Sequence, residues 1–349
     1  MKITDGHIHY APGVSPGEII KLLDETGTDA ANIAVINYKG TVSNLEACLK
    51  LKQYAPRRFF LYGDLPASAY KKYGDSSALG TALAEDTARL LRLGCDGIKL
   101  LEGKPQLRKW LPVPDFDSSA WEPYWDYAER EQVPLLWHVN DPECFWDERL
   151  VPAWAKTQGW CYDESYINNE NQYRQVLNVL KRHRKLKIIF AHFFFMSSQL
   201  PRLDGILDSF PNVMTDVTPG IELIENMSAN IGEAKAFFKK HGKRITYGTD
   251  IGSRYVFNPA GKPFSTEENL RRPEIVRKFL TLDGEEIIGA DGSFIVGRPD
   301  FVLRGLGLRG EAAEDVFGNN FFRHTGRTEP GKINAELAEE ALRLRNEMI

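Results

Sequence analysis

Short apolar runs rich in β-branched and aromatic residues recur along the first 251 residues, and turn-forming residues bound each of them. Such runs predict β-strands, whereas longer stretches with apolar residues every three or four positions predict amphipathic helices. The predicted strands cover residues 2–10, 31–38, 58–65, 96–102, 133–140, 186–194, 212–217 and 244–251. Helical spacing covers residues 16–25, 79–93, 119–131, 171–184 and 234–241.

The regular alternation of strands and helices predicts an α/β fold with a parallel sheet, and eight repeats suffice to close that sheet into a (β/α)8 TIM barrel. An open, doubly wound sheet is the alternative. The barrel is predicted to cover residues 1–252, and residues 253–349 to form a C-terminal helical extension of the same single domain, 1–349. In this extension we expect a helix near 266–280, an insertion rich in Gly and Asp, and a terminal helix from Asn334.

The composition is that of an ordinary globular protein, with 42% hydrophobic and 26% charged residues among 349 and a formal net charge of −4. The basic residues are dispersed, so charge gives no reason to expect a nucleic-acid partner. No apolar run reaches the roughly 20 residues that cross a bilayer, and no leader-like segment opens the chain, so we expect no membrane association and a cytoplasmic location. The four cysteines form no CxxC pair, which predicts reduced thiols.

Two histidines one residue apart, His7 and His9, lie late in the first predicted strand. Alternate residues of a strand point to the same side, so both imidazoles can bind one metal ion. Such a pair also occurs as an ordinary polar contact, and it therefore does not define a site by itself.

Further candidate ligands come late in other predicted strands: His138 in the fifth, His192 in the sixth and Asp250 in the eighth. The C-terminal ends of barrel strands form one rim, where barrel enzymes place their chemistry. Each residue alone is compatible with a structural role in the core. Together with the histidine pair, they predict a site at that rim.

With this ordered set of HxH, His, His and Asp on strands one, five, six and eight, the chain resembles the amidohydrolase superfamily. The resemblance is to the branch that contains amino-carboxymuconate-semialdehyde decarboxylase, resorcylate-type decarboxylases and related lactone hydrolases. It covers residues 2–252 and extends to the late segment 316–322, which is similar to the closing Gly-Asn motif of that branch.

The resemblance implies that His7, His9 and His138 are metal ligands, that Asp250 is a ligand or the general base, and that His192 is a catalytic imidazole beside the metal. These donors suit one divalent ion, zinc foremost with manganese as the alternative, and leave a coordination position open. The expected enzyme is a metal-dependent hydrolase that attacks an amide, ester or lactone carbonyl of a small molecule with activated water. Non-oxidative decarboxylation of a small unsaturated or aromatic acid is the alternative, and a non-catalytic metal- or ligand-binding barrel is the third hypothesis.

Lys99, on the fourth predicted strand, leaves the number of metal ions open. Some members of the superfamily use a carboxylated lysine at this place to bridge two ions, whereas the resemblance to the mononuclear branch favours one ion. A plain salt bridge or a contact to a substrate carboxylate is then expected of Lys99.

The segment after the fifth strand, residues 141–169, is longer than the usual βα loop and is rich in aromatic residues. It predicts an apolar cover over the substrate, with Trp146 as one contact, or a surface that packs on outer helices or on another subunit of a homo-oligomer. Arg254 and Tyr255, which follow Asp250, are further candidates to bind a substrate carboxylate or carbonyl.

Two aspartates and three other histidines complete the set of candidates. Asp5 is expected to orient a ligand or to make a structural hydrogen bond, and Asp216 to belong to a local polar network at the end of the seventh strand. His183, His241 and His324 lie among basic residues or glycines at apparent helix ends and loops. All three are therefore predicted to be surface residues.

Overall fold

The computed structural model of this chain describes residues 1–10, 13–36, 43–220, 222–253, 266–288 and 301–347. Eight parallel strands follow one another around a single sheet in chain order. They are β1 (Thr4–Ile8), β2 (Ala30–Ala34), β3 (Phe59–Asp64), β4 (Gly97–Gly103), β5 (Pro134–Val139), β6 (Lys187–Phe190), β7 (Val213–Asp216) and β8 (Ile245–Thr246).

Backbone hydrogen bonds join the first strand to the chain that follows β8. Gly6 N donates to Tyr247 O at 2.8 Å, and Asp250 N donates to His7 O at 2.9 Å. One step further along, His9 N donates to Ile251 O at 2.7 Å. The sheet is thus closed, which confirms the predicted TIM barrel and excludes the open sheet.

Helices surround the barrel and extend beyond it. Those between the strands are α1 (Pro16–Glu25), α2 (Leu45–Tyr54), α3 (Ala67–Tyr73), α4 (Ser77–Leu93), α5 (Pro105–Trp110), α6 (Glu122–Arg130), α7 (Ala153–Thr157), α8 (Asn169–Arg182), α9 (Leu200–Ser209), α10 (Leu223–Ala229) and α11 (Ile231–His241). After the barrel come α12 (Thr266–Thr281), α13 (Gly310–Glu314), α14 (Asn320–Thr325) and α15 (Ala335–Glu347). A π-helical turn, Asp315–Asn319, joins α13 to α14.

Local sequence explains the ends of two helices. Ser15 and Glu18 form a reciprocal capping box that begins α1, with the Ser15 hydroxyl accepting from Glu18 N and the Glu18 carboxylate accepting from Ser15 N. Gly94 ends α4 at φ +110°, a left-handed conformation that glycine adopts without a steric penalty.

Alternate residues of the strands form an apolar cluster inside the barrel. Leu136 belongs to this cluster and shares a strand face with His138, and Met214 likewise shares a face with Asp216. Phe321 of α14 also packs into it, and its ring lies 5.1 Å from that of Phe60. The cluster therefore supports the polar residues at the rim from within the barrel.

The late segment 316–322 contacts β8 and the chain beside it. Tyr247 N donates to Val316 O at 2.8 Å, and Asn320 Nδ2 donates to the carbonyls of Gly242 and Ile245 at 2.7 and 2.6 Å. The C-terminal extension is thus tied to the barrel by buried hydrogen bonds.

Most predicted strands are longer than the observed ones, and two of them end well before the predicted limit at the rim. The strand predicted over 186–194 ends at Phe190, and the strand predicted over 244–251 ends at Thr246. An antiparallel hairpin of β9 (Glu285–Ile288) and β10 (Phe301–Arg304) was not predicted. Among the described residues, no helix combines the length and the apolar character that crossing a membrane requires.

Candidate active site

His7 and His9 each have one ring nitrogen fixed by a neighbour. His7 Nδ1 lies 2.9 Å from Asp216 Oδ2, and His9 Nδ1 lies 2.7 Å from the carbonyl oxygen of Ala34. Because these oxygens accept hydrogen bonds, each Nδ1 carries a proton. In His7, whose Nε2 lies 3.2 Å from Lys99 Nζ, the lone pair is therefore on Nε2. This is the tautomer that a metal-binding imidazole needs.

His192 and Asp250 lie just past the ends of their strands in left-handed backbone conformations, with φ of +56° and +60°. Such conformations are uncommon for residues other than glycine, and they concentrate at functional sites. Asp216 fixes the turn at His192, because its Oδ1 accepts from His192 N at 2.7 Å. The two turns direct both side chains to the rim. In a continuing strand, successive side chains would instead alternate between the two faces of the sheet.

Three donor groups converge at this rim. One ligand atom each of His7, His192 and Asp250 lies within 4.8 Å of the others, and all three residues are buried. Asp250 Oδ1 also lies 3.0 Å from His9 Nε2 and 3.9 Å from His7 Nε2. The structure thus brings four of the five predicted chemical residues together around one point.

His138 is the fifth predicted residue. Its ring lies 5.0 Å from the His192 ring, whereas its Nε2 lies 3.3 Å from Asp141 Oδ1. His138 therefore lies beside the converging donors of His7, His192 and Asp250, but its Nε2 faces the carboxylate of Asp141. The assignment of His138 to the metal and of His192 to catalysis stays a prediction.

Burial decides the charge of the imidazoles. Burial, and next the charge of Lys99, hold the pKa of His7 well below its usual range, and burial has the same effect on His192. Burial also lowers the pKa of His138 to about 4. All three imidazoles are neutral at pH 7, so their lone pairs are available to a divalent cation.

Asp250 has the opposite charge state. Burial alone would raise the pKa of Asp250, but the hydrogen bond from His9 and the charges of His9 and Arg272 hold it well below its usual range. Arg272 Nη1 lies 3.5 Å from Asp250 Oδ2 and is itself buried. Neutral imidazoles beside an ionised carboxylate are a donor set that fits a zinc-like ion.

Asp5 and Asp216 form the layer behind these donors. Asp5 accepts from His7 N at 3.1 Å and from Thr249 N at 3.2 Å, so it makes the structural hydrogen bonds that were one of its two predicted roles. Asp216 accepts from Thr218 N at 3.1 Å as well as from both histidines. The predicted polar network at Asp216 is confirmed, and it holds two imidazole-bearing residues.

Lys99 projects from β4 into the same space, where its Nζ lies 3.2 Å from His7 Nε2. Burial lowers the pKa of Lys99 to about 8. Among the described residues, no carboxylate lies within ion-pair distance of Lys99, and the choice between a salt bridge and a substrate contact stays a prediction. The buried ammonium instead faces the group of donors.

The aromatic segment 141–169 is anchored beside the site. Lys104 Nζ donates to both oxygens of Asp141 at 2.8 and 2.7 Å, and the Tyr162 hydroxyl donates to the same carboxylate. Phe145 and Tyr162 belong to a small apolar cluster of their own, against which Trp146 packs. The segment therefore has a packed interior and is tied to the ends of β4 and β5.

The structure corrects one prediction and leaves another untested. His183, His241 and His324 are buried, not surface residues. His183 Nε2 lies 2.9 Å from a Glu122 oxygen, and His241 Nε2 lies 2.6 Å from an Asp204 oxygen; these carboxylates compensate for the burial of the rings. The predicted substrate contacts Arg254 and Tyr255 lie outside the described residues.

Two further residues at the site were not found from the sequence: Lys104, which contacts Asp141, and Arg272, which contacts Asp250. Asp141 also lacked a predicted role, although its place three residues after His138 was a usable signal. Lys104 and Arg272 carry no comparable signal, because the partners that define them are distant in the chain. Arg272 reaches the site from α12, which follows the last strand of the barrel by about 20 residues.

No protein-family model and no curated protein sequence matches this chain. Solved structures do match it. A Staphylococcus aureus protein assigned as an amidohydrolase is 16% identical, with a TM-score of 0.55, over 93% of this chain and 100% of that one. A Pseudomonas putida protein assigned as a 2-pyrone-4,6-dicarboxylic acid hydrolase is 14% identical, with a TM-score of 0.52, over 93% and 97%.

A third structure, 4-oxalomesaconate hydratase from Rhodopseudomonas palustris, is 14% identical with a TM-score of 0.52 over 99% of both chains. At these identities the likeness establishes the fold. The chain has the same barrel as these proteins over nearly its whole length, which confirms at the level of the fold the resemblance seen in the sequence.

Proposed function

We propose that this protein is a metal-dependent hydrolase that attacks an amide, ester or lactone carbonyl of a small molecule. The observation that carries the proposal is the convergence of His7, His192 and Asp250 donor atoms within 4.8 Å of one another at the barrel rim. A purely structural role would not need neutral imidazoles and an ionised carboxylate at the face where barrel enzymes carry out their chemistry. Two solved proteins with this fold, one named as a hydrolase and one as a hydratase, support the proposal of a hydrolase.

For the metal we keep His7, His9, His138 and Asp250 as proposed ligands, with zinc before manganese. A bound zinc ion supplies Lewis acidity, which polarises a carbonyl group and activates water. His192 is the competing ligand, because its ring nitrogen lies in the converging group while His138 Nε2 lies beside Asp141. His138→Ala and His192→Ala separate the two, since the true ligand loses metal affinity and the catalytic imidazole loses kcat.

The protein's own groups divide the remaining work. Asp250 accepts the proton of the attacking water, and the proton then passes to the leaving group as the acyl bond breaks. His192 is neutral and its Nδ1 lies 3.3 Å from the Thr218 carbonyl oxygen, so its Nε2 lone pair can take this proton and deliver it to the leaving group. Lys99, largely protonated at pH 7, binds a carboxylate or carbonyl oxygen of the substrate.

The aromatic segment supports the second candidate, a non-oxidative decarboxylase. Phe145, Tyr162 and Trp146 form an apolar cover next to the site, which would exclude water from a carbanion-like transition state. The indole Nε1 of Trp146 is buried and has no hydrogen-bond partner among the described residues, and we keep Trp146 as a proposed substrate contact. We propose a cytoplasmic location, which the four free cysteines support, and a single domain that associates into a homo-oligomer.

One assay distinguishes the two reactions. The purified protein is treated with a chelator, zinc is restored, and hydrolysis of γ-butyrolactone, p-nitrophenyl acetate and N-acetyl amino acids is measured beside carbon dioxide release from hydroxybenzoates. We expect hydrolysis that the chelator abolishes and zinc restores. Carbon dioxide release without hydrolysis would select the second candidate, and neither activity in zinc-loaded protein would contradict both.

A further inference from the structure

Arg272 is a buried arginine beside the converging donors, and the proposed mechanism gives it no part. It lies on α12, and only 1% of its surface is exposed. Arginine stays protonated in proteins, so burial of its guanidinium group is costly unless acceptors compensate for it. The acceptors that surround this group therefore indicate its role.

The guanidinium group lies between two carboxylates. Its Nε and Nη2 donate to Glu268 Oε1 at 3.4 and 3.2 Å, one turn earlier on the same helix. Its Nη1 donates to the backbone carbonyl of Thr249 at 3.3 Å and lies 3.5 Å from Asp250 Oδ2. Glu268 thus fixes the guanidinium group from one side, and on the other side the group faces the turn that carries Asp250.

The two oxygens of Asp250 have different neighbours. Oδ1 lies 3.0 Å from His9 Nε2 and 3.9 Å from His7 Nε2, on the side of the converging donors. Oδ2 lies on the side of Arg272. A carboxylate can offer a metal ion one oxygen or both, and a guanidinium group on Oδ2 leaves Oδ1 as the oxygen for the metal.

The helix also fixes the turn itself. Asn269 Oδ1 accepts from Gly252 N at 3.0 Å. On the opposite side, His9 N donates to Ile251 O at 2.7 Å, and a Cβ atom at Gly252 would lie 2.3 Å from His9 O. The turn after β8 is therefore held between the end of β1 and the first two turns of α12. Asp250, with φ of +60°, lies within this turn, and such a conformation persists only where the surrounding contacts impose it.

We propose that Arg272 is the positioning residue of the metal site: it binds Oδ2 of Asp250 and so presents Oδ1 alone to the metal. The inference rests on the proposed function, because it takes Asp250 as a ligand. It adds α12, which follows the barrel, to the elements that build the site. A carboxylate that binds with one oxygen occupies one coordination position and leaves another open for the reaction.

The charge of Arg272 makes the consequence of its removal specific. A cation 3.5 Å from Asp250 Oδ2 offsets part of the negative charge that attracts a metal ion. Without this cation, Asp250 should attract the metal at least as strongly, and both of its oxygens become free to bind. Loss of an arginine that only supports the fold would instead loosen the turn and weaken metal binding.

Arg277, on the same helix, provides the matched control. Its Nε donates to the Tyr247 hydroxyl at 3.2 Å and its Nη2 to the Thr28 hydroxyl at 2.8 Å, so it also ties α12 to the barrel. These partners are not among the converging donors. Removal of either arginine should therefore lower stability, whereas only removal of Arg272 should change the metal site.

The experiment compares four full-length proteins: the parent chain, Arg272→Met, Glu268→Gln/Arg272→Met and Arg277→Met. The double variant removes both charges of a buried pair, which keeps the comparison possible if Arg272→Met does not fold. Zinc dissociation constants are measured by competition with a chromophoric chelator, and visible absorption spectra are recorded with Co²⁺ in place of Zn²⁺. The visible bands of Co²⁺ lose intensity as its coordination number rises, so they report how many donor atoms bind it.

We expect both Arg272 variants to bind zinc at least as tightly as the parent chain, and their cobalt bands to be less than half as intense. Arg277→Met should keep the parent affinity and the parent spectrum while it unfolds at a lower urea concentration. Zinc binding that is tenfold weaker in the Arg272 variants, or a cobalt spectrum that they share with the parent chain, would reduce Arg272 to a support of the fold and overturn the inference.

Hydrolysis of γ-butyrolactone keeps this result separate from the proposed function. With the open coordination position occupied, the Arg272 variants should lose at least tenfold in kcat, with KM within about threefold of the parent value. Zinc-dependent hydrolysis by the parent chain beside unchanged spectra in the variants would leave the hydrolase and remove the role of Arg272. The expected spectral change without hydrolysis of any substrate would leave the role of Arg272 and contradict the hydrolase, and a parent chain that binds neither ion would contradict both.

Discussion

Asp216 lets the layer behind the metal donors be tested with one substitution. Its carboxylate accepts from His192 N at 2.7 Å, from His7 Nδ1 at 2.9 Å and from Thr218 N at 3.1 Å. Asp216→Ala leaves these three buried donors without an acceptor. Each unsatisfied donor costs about 1–3 kcal/mol, so we expect a loss of stability on the order of 3–5 kcal/mol after partial relaxation.

The same substitution should weaken metal binding. Without Asp216, the His7 ring loses the contact that fixes its tautomer, and the left-handed turn at His192 loses its hydrogen bond. Removal of such a supporting group lowers metal affinity by about 10- to 100-fold. The zinc dissociation constant is measured by competition with a chromophoric chelator, and stability by urea unfolding.

Asp204→Ala is the matched control. Asp204 also holds a histidine, since it lies 2.6 Å from His241 Nε2, but this pair joins α9 to α11 outside the site. Its removal should leave zinc affinity unchanged. An Asp216→Ala variant that binds zinc as tightly as the parent chain would refute the role given to Asp216.

Further predictions concern the base, a buried acid and the anchor of the aromatic segment. Asp250→Asn should lower kcat at least 100-fold with little change in KM, because it removes the proton acceptor, and a normal kcat in steady-state assays would exclude that role. Burial raises the pKa of Glu102 from 4.5 to about 7, so its contribution to the free energy of unfolding falls by about 3 kcal/mol as pH rises from 4.5 to 7. Urea unfolding at pH 5 and pH 8 measures this fall, and Glu102→Gln should remove it. A stability difference between the two pH values that is the same in the variant as in the parent chain would contradict the prediction. Lys104→Met leaves the buried Asp141 without its cation and should lower the free energy of unfolding by about 3–5 kcal/mol, measured by thermal unfolding. An unchanged melting temperature would show that the Lys104–Asp141 pair does not anchor the aromatic segment 141–169.

The barrel could be predicted because each of its elements has a local signal. The period of apolar residues marks α1 with the same limits as the structure, and the turn-bounded runs mark all eight strands in their order. The positions of His7 and His9 follow from the alternation of a strand. These features depend only on neighbours in sequence.

The finer geometry of the site depends on distant contacts. His192 and Asp250 lie in left-handed turns beyond their strands, which no period of apolar residues reports, and a hydrogen bond to Asp216 supports the first of these turns. The burial of His183 and His241 likewise depends on carboxylates from other helices. Sequence pattern alone assigns a histidine between basic residues to the surface, because the compensating partner is not visible in it.

The metal content per chain tests the central claim most directly. It is measured by inductively coupled plasma mass spectrometry on protein purified without chelator and without metal-affinity resin, beside His9→Ala prepared in the same way. We predict about one zinc or manganese ion per parent chain and far less in the variant. Two ions would make Lys99 a bridging group, and no ion in the parent chain, even after zinc is added back, would contradict the account.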